Sequence, residues 1–182
     1  MAFRSIIPAL AAALAMSSTA MAQPPQPPAP QVRAAMEKLS WLAGEWRGEG
    51  WRFGPAGREE FFVAETVEWD VDGLVLVVHG DGWSVDDEGN RIDGHKALGI
   101  LSYDAFARSY HFDAFVKEGY QSRSQPLVGE KEYRWSHPAG PGAEMRYHTR
   151  LTDNGDWLET GERCVEGACS PFLEMRLAKI TE

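Results

Sequence analysis

Signatures of catalysis are what this sequence has least of. It contains no G-x-S-x-G nucleophile turn, no GxxxxGK[ST] phosphate loop and no H-E-x-x-H zinc helix, which removes the commonest hydrolase, nucleotide-binding and zinc-protease readings. Its five histidines, His79, His95, His111, His137 and His148, never pair as H-x-H. Zinc needs three or four ligands converging on a tetrahedron, so no local metal site is predicted. His111 and His148 alternate with residues that look inward, and are expected to face solvent. The glycine run GEWRGEG has no helix after it to supply a positive N-terminal dipole, so it is not read as a nucleotide fingerprint.

Basic residues are also in deficit: 18 Lys and Arg stand against 27 Asp and Glu, a formal net charge of −9. That sign argues against nucleic acid or an anionic membrane surface as partner, since both need a basic face. Apolar runs are short. The longest, Ile6 to Met16, sits between Arg4 and the small residues Ala20-Met21-Ala22, the layout of a secretory signal peptide with an A-x-A cleavage site. Residues 1–22 are therefore read as a leader, and no cysteine near the cleavage site is available to carry a lipid. Its removal takes away one charge, Arg4, and moves the net charge from −9 to −10. A periplasmic or secreted domain is expected, with no stable membrane insertion after cleavage. Residues 23–31, QPPQPPAPQ, read as a proline-rich linker, extended because proline lacks a donor and fixes φ.

Cysteine is limited to Cys164 and Cys169, in RCVEGACS. Redox and metal pairs normally use C-x-x-C, whereas four intervening residues can form a hairpin loop that sets the two thiols opposite each other. In an exported chain this predicts a cross-strand disulfide.

The remaining pattern is strand. VRAAMEKLSWLAG repeats apolar residues at three and four positions and stops at Gly44, predicting one short helix. After it, Phe61, Val63, Glu65, Val67, Trp69 and Val71 share one face of a period-2 run, and Asp72-Gly73 turns the chain into GLVLVVHG. Similar alternation between turn signals gives ten short strands. The predicted fold is all-β: a ten-stranded antiparallel up-and-down barrel behind a short helix, spanning residues 32–182, because closure removes exposed edges. A two-sheet sandwich is the alternative.

The stretch SWLAGEWRGEGWRFG, residues 40–54, carries three tryptophans and four glycines. Its Gly44-Glu45-Trp46 resembles the G-x-W signature of lipocalin and calycin barrels. The resemblance implies that Trp46 packs across the closed end of the barrel beneath a basic residue of the last strand. FLEMRLAKI offers Arg176 or Lys179, and Arg176 is the residue expected to stack on the indole. LSWLAGEWRGEGW and FLEMRLAK together resemble bacterial lipocalin-like domains of unknown function and, more distantly, nitrobindin-type haem barrels. Those hold haem through a histidine near the last strand, where this chain has Phe172. Haem is thus a minor alternative and no cofactor is expected. If Trp46 points inward so do Gly48 and Gly50, which would leave room beside it; Trp51 has outward parity.

Candidate binding residues follow from the inner faces. Tyr110, Phe112, Ala114 and Val116 share a face, as do Tyr133 and Trp135, and Met145, Tyr147, Thr149 and Leu151. Such a surface suits a mostly apolar ligand held by a few polar groups; the same side chains could equally fill the barrel completely. Glu65 interrupts an apolar face. It is either a hydrogen-bonding or acid-base group in a cavity, or half of an internal salt bridge to arginine, or turned outward by a bulge. The predicted set is Glu65, Trp69, Tyr103, Tyr110, Phe112, Trp135, Met145 and Tyr147, with Gly44, Trp46 and Arg176 structural. The expected activity is binding of a small hydrophobic molecule without catalysis. A haem enzyme and an envelope interaction module with a filled barrel are the alternatives.

Overall fold

The computed structural model describes residues 29–54 and 57–181; the expected leader and most of the proline-rich linker lie outside them. Helix α1, Ala29–Met36, runs into a 3-10 turn, Glu37–Leu42. The strands are β1 (Gly44–Gly54), β2 (Gly57–Asp70), β3 (Val75–Val85), β4 (Arg91–Asp104), β5 (Ser109–Val116) and β6 (Gln121–Ser124). They continue as β7 (Leu127–Val128), β8 (Glu132–Pro138), β9 (Ala143–Leu151), β10 (Trp157–Val165) and β11 (Ala168–Lys179). The helix begins earlier than its apolar periodicity suggested, because Pro30 suits a first helical turn, whose N–H groups have no intrahelical acceptor.

Every ladder is antiparallel and the strand order is β6-β5-β4-β3-β2-β1-β11-β10-β9-β8-β7. This is an up-and-down meander in which the first and last strands pair, so the all-β expectation holds. Two details differ from it. An eleventh strand, the two-residue β7, was too short to show alternation. The sheet is also a curled half-barrel rather than a fully closed one: its ends are β6 and β7, consecutive in the chain and separated by Gln125-Pro126. Four and two residues long respectively, with a proline that cannot donate between them, these are edges too short to template another strand.

The registers define the inner face. Trp46, Glu65, Gly80 and Ala97 lie in one row across β1 to β4. A second row runs Tyr133, Thr149, Glu159, Met175, Gly50 and Phe61, from β8 round to β2. Met36, Leu39 and Leu42 of the helical segment are fully buried and plug one end, each worth about 1.5–3 kcal/mol of burial. Trp46 is 1% exposed, meets Trp157 edge-on at 5.7 Å, and donates its indole N–H to the Leu42 carbonyl at 2.7 Å. That bond satisfies a carbonyl at the end of the 3-10 turn, where no backbone donor follows.

The basic residue over Trp46 is Lys179, not Arg176: its Nζ stands 5.1 Å from the ring centroid. Parity explains the correction. Trp46 and Lys179 are ladder partners, whereas Arg176 pairs with Glu49 on the outer face and ion-pairs with Asp156. The room expected beside Trp46 is also occupied. A Cβ on Gly50 would meet Met175 Cβ at 2.7 Å and Phe61 Cζ at 2.8 Å, and one on Gly48 would meet the Arg176 carbonyl oxygen at 1.9 Å. Trp51 does face outward, beneath the Arg58 guanidinium at 4.5 Å. Cys164 and Cys169 are ladder partners joined by a disulfide, as the spacing predicted.

Candidate functional site

The predicted binding residues separate into three levels. Tyr103 and Tyr110 pack edge-to-face at 4.9 Å, and the Tyr110 hydroxyl donates to the Ala35 carbonyl at 2.8 Å. They fasten the helix to the sheet. Trp69 is 37% exposed near the end of β2, and does not join the central cluster. Met145 lies at the opposite end, paired with His137 and Arg163.

The central level brings together Phe112, Trp135 and Tyr147, and no contact joins Glu65 to them among the described residues. Trp135 and Tyr147 stack with centroids 4.1 Å apart and planes 7° apart, because Trp135↔Tyr147 is a direct cross-strand pair. Phe112 meets Trp135 edge-on at 4.8 Å, and the His137 ring extends the stack, 5.8 Å from Trp135. The Trp135 indole N–H is buried and unpartnered.

Glu65 faces the interior beside Gly80, where a Cβ would lie 2.9 Å from both its carboxyl oxygens. Among the described residues no arginine or lysine pairs with it, and its Oε2 is buried without a hydrogen-bond partner. An internal salt bridge is thereby excluded. Burial, reinforced by the charges of Glu159 and Asp81, pushes its carboxyl up to about 8, as expected when the ionised form is desolvated without compensation.

Glu159 was missed in the sequence. It follows the same rule as Glu65, an acid of inward parity, two residues after Trp157 and two before Gly161, and alternation in DWLETGERC could have found it. Its Oε2 accepts from the Thr149 hydroxyl at 2.7 Å. Burial raises its carboxyl above the ordinary range, with the Thr149 bond opposing. Tyr133 and Tyr147 are raised as well, first by burial and then by the Glu159 charge. The interior therefore holds two carboxyls, two phenols and a hydroxyl, with no cation among the groups that act on them.

Space around this cluster is limited. Phe112 lies over Gly99, where a Cβ would meet Cε2 at 2.6 Å, and Phe172 lies over Gly161, where a Cβ would meet Cε1 at 2.6 Å. Of two open depressions, the one of ≈ 350 Å³ is edged by Thr66, His79, Gly80, Asp81 and Lys96, and the one of ≈ 460 Å³ by Arg134, Trp135, Arg146, Tyr147, His148 and Glu162. At the second, His148 bonds Glu132 at 2.6 Å.

The residues do not fit a haem. Phe172 offers no ligand where the resemblance implies an axial histidine, and its ring packs against Tyr147 at 5.6 Å. The three sulfur and carboxylate groups nearest one another are Glu162, Cys164 and Cys169, whose thiols are consumed by the disulfide. No family model matches the chain, and no curated protein matches it.

Proposed function

We propose that this chain is an exported, lipocalin-like barrel that binds a small, largely apolar molecule in its interior without chemical conversion. The observation that carries the reading is Glu65, an inward carboxyl whose Oε2 is buried with no partner; the stacked Trp135 and Tyr147 on other strands of the same sheet supply aromatic surface. A buried polar atom without a hydrogen bond costs about 1–3 kcal/mol, and a ligand donor is the group that would recover it. Apolar surface with a few convergent polar atoms is the usual lining of a small-molecule site. The rings over Gly99 and Gly161 set the size limit: the ligand is much smaller than a porphyrin. Export is supported by the leader-like residues 1–22 and by the disulfide, which persists in oxidising compartments.

The test is native mass spectrometry and solvent extraction of the mature chain. A co-purified or titratable small apolar molecule is expected. A barrel that neither carries nor takes up one would overturn the reading in favour of an interaction module with a filled interior, which the glycine positions occupied by neighbouring rings would then explain.

A further inference from the structure

The β10–β11 hairpin carries a bridge whose two cysteines have different surroundings. Cys164 and Cys169 are ladder partners, followed by Val165 with Ala168 and by the turn Glu166-Gly167. Both turn residues have positive φ, 50° and 88°, as a two-residue hairpin loop of the I′ kind requires. Cys164 is 3% exposed, whereas Cys169 is exposed, as are the turn before it and Ser170 and Pro171 after it. A thiol arriving from solvent therefore reaches Cys169 first.

Two charged side chains address the bridge. The Arg146 Nε is held by Glu144 at 2.7 Å, and its Nη1 donates toward Cys169 Sγ at 3.8 Å. A guanidinium beside sulfur favours its thiolate and draws in an anionic attacker. Glu162, the ladder partner of Arg146, places a carboxylate oxygen within 4.8 Å of both sulfurs, and its charge opposes that of Arg146. The same two residues edge the depression of ≈ 460 Å³, with Arg134, Ser136, His148 and Thr160. Open space for the body of an attacking molecule thus adjoins the bridge.

The energetics point the same way. Folding protects a disulfide from reduction only as far as the disulfide stabilises the fold, and a loop of four intervening residues keeps that small. Exposed, weakly held disulfides are the exchangeable ones.

We infer that Cys169 is a site of reversible S-thiolation, at which small thiols open the bridge through a mixed disulfide. The incoming thiolate attacks Cys169 Sγ: a new S–S bond forms, the Cys164–Cys169 bond breaks, and its electron pair leaves with Cys164 Sγ, which takes a proton from water. A second thiolate attacks the added sulfur, freeing Cys169 as a thiolate beside Arg146 and releasing the disulfide of the small thiol. Two electrons pass from two thiols to the bridge, and the oxidised small thiol reverses both steps. The exchange is independent of interior binding.

The probe is glutathione, reduced and oxidised, added to the full mature chain at neutral pH, with protein thiols trapped and counted by mass spectrometry. The chain is expected to pass reversibly between bridged and dithiol forms as the glutathione ratio is varied, while circular dichroism shows it folded. A folded chain whose bridge stays closed in millimolar reduced glutathione overturns the proposal. With oxidised glutathione, Cys169 in Cys164→Ser is expected to be modified about tenfold faster than Cys164 in Cys169→Ser; equal rates overturn it. Within Cys164→Ser, Arg146→Leu is expected to slow the reaction several-fold and Glu162→Gln to speed it, with Arg176→Leu leaving it unchanged. Arg146 and Glu162 variants that leave the rate unaltered, or shift it in the same direction, overturn the assignment.

Discussion

Trp46 and Lys179 face each other across the ladder that joins the first and last strands, with the ammonium 5.1 Å from the indole centroid. Gly44 makes the approach possible: a Cβ there would stand 2.7 Å from Lys179 Cε, and its φ of +125° is a region that favours glycine. The G-x-W pattern thus has a local physical cause, a glycine that admits the lysine stem and a tryptophan that receives its charge. Lys179→Met is expected to lower the melting temperature by about 2–4 °C, the equivalent of roughly 1 kcal/mol for a domain of this size. Arg176→Met, which breaks only an exposed ion pair, should cost no more than about 1 kcal/mol and usually less. Trp46→Ala should cost about 3–5 kcal/mol by opening a buried cavity. Thermal melts of the three variants check the order.

Stability should fall as pH rises through the window set by Glu65. Its carboxyl moves from an ordinary 4.5 to about 8 in the folded chain, so between those values the folded state holds a proton that the unfolded state has released. Below the window both states are protonated and no penalty exists; above it the full penalty stands, on the order of 5 kcal/mol. Glu65→Gln cannot ionise. Denaturant melts should show the variant and parent alike near pH 4.5, and the variant more stable by a few kcal/mol at pH 8.5. A difference independent of pH would contradict the uncompensated carboxyl.

Two glycines of the inner face should respond differently to alanine. At Gly99 the obstacle is the Phe112 ring, 2.6 Å from a built Cβ, and overpacking of this kind costs about 1–3 kcal/mol. Phe112→Leu should relieve part of it in the double variant. At Gly48 the obstacle is the Arg176 backbone carbonyl at 1.9 Å. No side-chain truncation can relieve that, so Gly48→Ala should destabilise more and remain unrescued. Additive melts for the Gly99 and Phe112 pair would show that they do not touch in solution.

Reduction of the Cys164–Cys169 bridge should be mild. It closes a loop of only four intervening residues, and the entropy removed from the unfolded chain grows with loop length. The Cys164→Ser, Cys169→Ser double variant is expected to lose at most about 2 kcal/mol, measured by thermal melts of the variant and parent.

Much of this protein was legible in its sequence because a strand declares its faces by period 2. Alternation placed Glu65 inside and Trp51 outside, the spacing in RCVEGACS placed the two cysteines opposite each other, and G-x-W marked the plug. These are local properties, decided by residues within one turn or hairpin. The choice of Lys179 over Arg176 was not local: it depends on the register between β1 and β11, strands at the two ends of the chain, and a shift of one residue would have exchanged the two basic side chains. Nor could the partner of Glu159 be read, since its Thr149 hydroxyl comes from β9 and only the register between β9 and β10 sets the two side by side. Tertiary structure also decided that Tyr103 and Tyr110 serve the helix, that Phe112 and Phe172 lie over Gly99 and Gly161, and that the ladder stops at Pro126. Sequence by itself determined which way each side chain points along its strand; which side chains meet was decided by register and curvature, quantities that exist only once distant strands have paired.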